Sequence, residues 1–318
     1  MDEERWSDIA FSLGISARPG QRHNTSTRRL AHKMSKRISP SPAQTLEYFK
    51  SFIDALLSSS PSLSQQTRCS YHGDAVPTVD AFRNTVHRLP TSRPAISIGY
   101  HSNAFSEAHR ELQNGIIAGP TGEPCDLNRI SQPATGHFWP FLVVEISDNS
   151  IAAARRASAV SAATCNNALS LLAEAAWDYE KDWSNSPSMF DRKSAKSFSL
   201  SIHGKTVSLG AHGAEGSLAH VATEVATYNL TQEGDIAALA DRLHGIMVWG
   251  HYNRLADLMS TLDRFDRKVH GGRVGPSLRV DGIEFDPHCL KVLQLQSPRR
   301  PRRTKAALKA GLPSWLSR

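Results

Sequence analysis

The run Phe138-Trp139-Pro140-Phe141-Leu142-Val143-Val144-Glu145-Ile146 constrains the fold more than any other part of the chain. A stretch so continuously apolar reads as a strand buried on both faces, because a strand with one wet face alternates. Glu145 stands out in it, since a carboxylate inside such a run is costly unless it has a partner or a task. Ser147-Asp148-Asn149-Ser150 then makes a turn, and the Ala-rich stretch from Ile151 to about Trp177 has the highest helix propensity in the sequence. Its small residues, among them Ala154, Ser158, Ser161 and Ala162, let that helix lie close against a sheet.

The flanking segments complete the class. Ser41 as cap, Pro42 in the first helical position and Gln44 at the capping-box spacing open a helix with Leu46, Phe49, Ile53, Leu56 and Leu57 on one face. A second helix is predicted through Val79, Phe82, Val86 and Leu89, ending before Pro90. Ile96, Ile98 and Tyr100 alternate as a strand, residues 105–113 read as a short helix, and the Gly- and Pro-rich segment 114–136 reads as a loop. A hairpin turns at His203-Gly204, a further strand covers 219–228, and helices from Thr231 to about Met247 and from His251 to about Lys268 close the core. That order gives an α/β fold with a mixed central sheet flanked by helices.

The formal charge of +7 belongs to the ends of the chain. Residues 1–40 carry eight bases and four acids, 296–318 carry seven bases and no acid, and 41–295 carry 22 bases and 26 acids. Three parts are expected: a basic, mostly disordered arm over 1–40, a single α/β domain over 41–295, and a basic disordered tail over 296–318. An acidic core argues against a domain that coats nucleic acid with its whole surface. No stretch approaches the roughly 20 apolar residues that span a bilayer, and acids stand where a secretory signal has its basic start, so no membrane partner is expected. Cys69, Cys125, Cys165 and Cys289 form no CxxC or CxxH pair, which argues against a zinc ribbon or disulfide framework and for reduced thiols in nucleus or cytoplasm.

The segments RPAISIGY, FWPFLVVEIS, ARRASAVSAATCNNAL and MVWGHYNRLADLMSTL resemble an uncharacterised domain family of filamentous fungi that is similar to the restriction-endonuclease-like PD-(D/E)XK superfamily. The resemblance spans roughly residues 42–270 and implies a restriction-endonuclease-like core. In that superfamily an Asp and a Glu on adjacent strand ends hold Mg²⁺, and a Lys two residues beyond the Glu orients the attacking water. Carried onto this sequence, the Glu position is Glu145, while the Asp position is Ala95, the Lys position is Ser147 and the helix Gln position is Ala157. Three of the four chemical positions are therefore empty of chemistry. The resemblance implies a catalytically degenerate nuclease fold, with no cofactor, or Mg²⁺ on Glu145 if activity survives. An active alternative is a metal-dependent DNA or RNA phosphodiesterase with a shifted site at Glu145 and Asp148, where Arg155 or Arg156 replaces the missing cation as a phosphate ligand. Glu145 also has a plain structural reading, a carboxylate accepting hydrogen bonds at a strand end.

His203, His212, His220, His244 and His251 lack metal-ligand spacing and read as scattered surface or capping histidines. There is no GxSxG, and Cys165 within the Ala-rich helix reads as a small buried hydrophobe. The tail is the strongest surface signal: Arg299, Arg300, Arg302, Arg303 and Lys305 form a cluster typical of nuclear-localisation or nucleic-acid-contacting segments. The expected function is nucleic-acid binding through the basic ends of a nuclease-fold protein, in the nucleus or otherwise the cytoplasm, with no small-molecule cofactor. A protein-interaction scaffold using the acidic core is the third reading.

Overall fold

The structure is a computed structural model and describes residues 2–15, 24–36, 40–75, 78–80, 85–118, 124–176, 195–215, 219–271 and 294–295. Helices α1 (Asp2–Leu13), α2 (Asn24–Ser35) and α3 (Pro42–Leu57) lead into strand β1 (Leu63–Thr67) and the short pair β2 (Thr78–Asp80) and β3 (Thr85–His87). Strand β4 (Ile96–His101), helix α4 (Glu107–Leu112), strands β5 (Gly115–Ala118) and β6 (Pro124–Asp126) and helix α5 (Leu127–Ser131) follow. Strand β7 (His137–Ile146), helix α6 (Ile151–Ala176), strands β8 (Ala195–His203), β9 (Thr206–Glu215) and β10 (Ala219–Asn229) and helices α7 (Glu233–Trp249) and α8 (Leu255–Asp266) build the rest, with a two-residue strand β11 (Gln294–Leu295) paired to β5.

The main sheet has the order β1-β4-β7-β8-β9-β10. All its pairs are antiparallel except β7–β8, which run parallel because α6 carries the chain across the sheet between them. Strand alternation divides the β8 side chains between two faces. Ser197 and Ser201 turn to α6, where they meet Ala162 O and Ser158 Oγ at 3.3 and 2.9 Å. Phe198 turns the other way and packs edge-on to Trp249 at the end of α7, with ring centroids 5.7 Å apart. One side of the sheet is thus a close-packed layer of small and polar residues, and the other is a thick aliphatic and aromatic core.

The capping box of α3 forms as its spacing predicts: Gln44 N donates to Ser41 Oγ (3.3 Å) and Ser41 N donates to Gln44 Oε1 (3.2 Å). Elsewhere the structure departs from expectation. Of the segment expected as a helix over 79–89, residues 79–80 and 85–87 belong to the antiparallel strands β2 and β3, while 81–84 lie outside the described residues, and the segment read as a loop contains β5, β6 and α5. The described parts of 1–40, helices α1 and α2, do not stand clear of the domain. Trp6, Ala10, Leu30 and Met34 of α1 and α2 are buried in the main core, and Arg242 of α7 lies between the rings of Trp6 and Tyr228 while bonding Glu3 at 2.5 Å. The continuous helix expected over 251–268 carries π-helical turns at Gly250–Arg254 and Arg267–Gly271. Among the described residues no helix is long and apolar enough to cross a membrane. The tail from 296 lies outside the described residues.

Candidate functional site

The β4–β7 register fixes where Ala95 and Glu145 stand relative to each other. Ile96 pairs with Val144, so one further step places Ala95 beside Glu145. Ala95 and Glu145 are therefore neighbours across the β4–β7 pair, a methyl group beside a carboxyl. Ser147, one step past the end of β7, has been taken into the turn: its N–H donates to Ile202 O at 2.9 Å and its Oγ accepts from Asn149 N at 3.2 Å. His203 Nδ1 approaches Ser147 O at 3.0 Å. Asp148 is exposed in that turn, and Arg156 and Ala157 are exposed on α6. Arg155 pairs with Glu224 on β10, an ion pair that occupies the cation considered as a phosphate ligand. Arg299, Arg300, Arg302, Arg303 and Lys305 lie outside the described residues.

Glu145 itself is half-buried beneath α6, and burial pushes its carboxyl up to about 7 from an ordinary 4.5, against the lowering effect of a hydrogen bond from Ser161. Ser161 Oγ lies 2.9 Å from Glu145 Oε1 and 3.0 Å from Ser92 Oγ. A hydroxyl has one proton for these two bonds, so a neighbour supplies the other: Ser92 when Glu145 is ionised, either neighbour when it is protonated. These partners do not fit Mg²⁺, which requires several hard oxygen ligands in octahedral array and is usually held by more than a single half-buried carboxyl. Among the described residues no three His, Cys, Asp or Glu side chains converge to hold a metal ion.

A second group in the same layer gave no motif in the sequence. His137, at the start of β7, is fully buried, with Nδ1 2.8 Å from Ser64 Oγ on β1 and Nε2 2.7 Å from Ser97 Oγ on β4. Ser97 also bonds the phenol of Tyr71, which packs with Cys165 of α6. Burial lowers His137 to about 4 and raises Tyr71 well above its ordinary value and Cys165 to about 12, so all three are neutral near pH 7. A neutral imidazole has one donor and one acceptor nitrogen, so the chain Ser64–His137–Ser97 is satisfied only when its protons all point the same way along it.

The layer is bent by an irregularity in β7. Ile98 pairs with Leu142 and Tyr100 with Phe138, so the single residue Gly99 of β4 faces three of β7, Trp139, Pro140 and Phe141. Trp139 within the bulge has φ +45°, a conformation costly for an aromatic residue. Two features hold it. Gly99 offers no Cβ where one would lie 2.5 Å from Phe138 O, and the buried Arg254 donates to Trp139 O at 3.0 Å and to the Tyr100 hydroxyl at 3.1 Å. Arg254 stands in the first π-helical turn, where Gly250 leaves room for the Phe141 ring.

The strand-end residues, the His137 group and Arg254 all fall inside a single family match. The chain matches the family model described as a domain of unknown function (DUF7924) over residues 19–262, from just before α2 into α8. No curated protein and no solved structure matches it. With that match covering most of its length, the chain belongs to the DUF7924 family.

Proposed function

We propose that this domain is a nuclease-like fold that has lost its cutting chemistry and serves to bind nucleic acid. The observation that carries the first half is the state of Glu145: its register neighbour is Ala95, its Lys position is a serine bonded into a turn, and its carboxyl is desolvated against Ser161. The kinship with the PD-(D/E)XK superfamily is supported by placement. Two motif positions lie side by side on antiparallel strand ends, and a small-residue helix then crosses to a parallel strand. The second half is supported by charge, since 296–318 contain seven bases and no acid. Such a tail contacts phosphates with a steep salt dependence and serves equally as a nuclear address.

The test is a cleavage assay on single- and double-stranded DNA and RNA with Mg²⁺ or Mn²⁺, run on the full chain and on Glu145→Ala and Asp148→Ala. No cutting is expected from any of the three. Metal-dependent cutting abolished by either substitution would replace this reading with that of a phosphodiesterase using a shifted site. For the tail, replacing Arg299, Arg300, Arg302 and Arg303 with Gln in the full chain is expected to weaken oligonucleotide binding and flatten its salt dependence. Unchanged binding would remove the tail from the contact surface.

A further inference from the structure

Between α2 and α3 lies a cleft of about 310 Å³ lined by Thr25, Arg29 and Lys33 on one side and Tyr48, Ser51 and Ala55 on the other, with Leu30 and Phe52 beneath. This volume is within the range of built ligand sites. No acidic residue lines it, and the sequence contains no Asp or Glu between Asp8 and Glu47. Arg29 and Lys33 line the cleft at i and i+4 of α2, and Lys36 follows at i+7, one residue past the helix end, for a span of about 10 Å. Arg29 and Lys36 form no ion pair among the described residues, and Lys33 Nζ lies over the Tyr48 ring at 4.9 Å. By contrast, the neighbouring Arg28, which points elsewhere, is paired with Glu233 at 2.9 Å. Like charges one turn apart disfavour a helix by a few tenths of a kcal/mol, a cost that an anion between them reverses.

We propose that the α2–α3 cleft binds a single strand of nucleic acid, with Arg29, Lys33 and Lys36 along its phosphates and a base against Tyr48. This rests on the nucleic-acid reading above and moves part of the contact from the tail to a folded site inside the family domain, since the match begins at residue 19. A row of three cations suits a chain of charges better than one isolated anion, and an aromatic ring beside a basic groove is the recurring platform for unpaired bases. The hydroxyls of Thr25 and Ser51 add donors at the rim.

The experiment measures binding of the full chain to a poly(dT) strand of about 20 nucleotides over a salt series, beside Arg29→Ala/Lys33→Ala and Ala55→Trp, each also in the tail variant described above. The double substitution is expected to weaken binding about tenfold and to lower the salt slope by about 1.4, the release from two phosphates of a single strand. Ala55 is exposed, so a Trp there fills the cleft without unfolding the helix or changing charge, and it is expected to weaken binding as well. The strand should also protect Lys33 from acetylation. Binding that is lost only with the tail arginines overturns the cleft and leaves the nucleic-acid reading standing. A full chain that binds no strand at low salt overturns both. Stronger binding to poly-glutamate, inorganic phosphate or anionic vesicles than to poly(dT) overturns the proposed ligand.

Discussion

Replacing Glu145 by Gln keeps the shape and the acceptor for Ser161 while removing the charge, and so isolates the cost of ionising a carboxyl beneath α6. The folded group sits at about 7 against an ordinary 4.5. Each unit corresponds to about 1.4 kcal/mol, so the full difference is roughly 3 kcal/mol. The sign follows from proton counts. Between about pH 4.5 and 7 the folded state keeps a proton that the unfolded chain has released, so the Glu145 contribution is fully favourable below the lower value and is lost as pH rises through the upper one. Glu145→Gln has no such loss. Urea unfolding of both proteins is expected to give nearly equal stabilities at about pH 5 and a variant more stable by roughly 3 kcal/mol at about pH 8. Millimolar Mg²⁺ is expected to leave the wild-type midpoint at pH 8 unchanged. A difference between the two proteins that does not vary with pH would refute the desolvated carboxyl, and a Mg²⁺-dependent rise confined to the wild type would make Glu145 a metal ligand.

Three further substitutions probe the layer around it. Gly99→Ala places a Cβ 2.5 Å from Phe138 O and 3.1 Å from Pro140 Cα, backbone atoms that cannot rotate away, and is expected to cost about 3 kcal/mol by urea unfolding. Arg254→Met keeps the aliphatic stem but leaves the Trp139 carbonyl without its donor, for an expected loss of about 2 to 4 kcal/mol and a change in near-ultraviolet circular dichroism from Trp139. His137→Gln retains one of two hydrogen bonds and is expected to cost about 2 kcal/mol at neutral pH, less as the pH falls toward 4.

The elements that announced themselves in the sequence did so because one residue type dominated their surroundings. The β7 run is apolar because both its faces are covered, α6 is Ala-rich because it lies on the sheet, and α3 carries its own capping box. The strands that bring Ala95 and Glu145 near each other were legible for the same local reason, since β4 alternates and β7 is continuously apolar. What was missed depends on distant partners. Ile96-Ser97-Ile98 reads as a strand with Ser97 facing water, yet Ser97 is fully buried, because Tyr71 and His137 come to it from 26 and 40 residues away. The first forty residues look like an arm because their apolar side chains are scattered among eight bases, and only β10, α3 and α7 supply the surfaces that α1 and α2 bury. The π-turn at 250–254 carries Arg254, whose partner Trp139 O stands in a strand bulge more than a hundred residues earlier.

Glu145 and His137 lie on the same strand and the same layer, and their titrations oppose each other. For His137 the folded value of about 4 lies below the ordinary 6.5, so between those limits the unfolded chain holds the extra proton and stability rises with pH. For Glu145 it falls over an overlapping window. The two slopes are each near 1.4 kcal/mol per pH unit and cancel between about pH 4.5 and 6.5. Wild-type stability is therefore expected to receive almost no net pH dependence from this layer, whereas Glu145→Gln should rise and His137→Gln should fall with pH across the window. Additivity in the double variant follows if the two groups are independent, and they share no hydrogen-bond partner: Ser161 and Ser92 serve one, Ser64 and Ser97 the other. A polar layer balanced in this way keeps the sheet-to-helix contact intact over the pH range in which either group alone would loosen it, which gives a structural reason for a carboxylate to stand near the end of the apolar β7 run beneath α6.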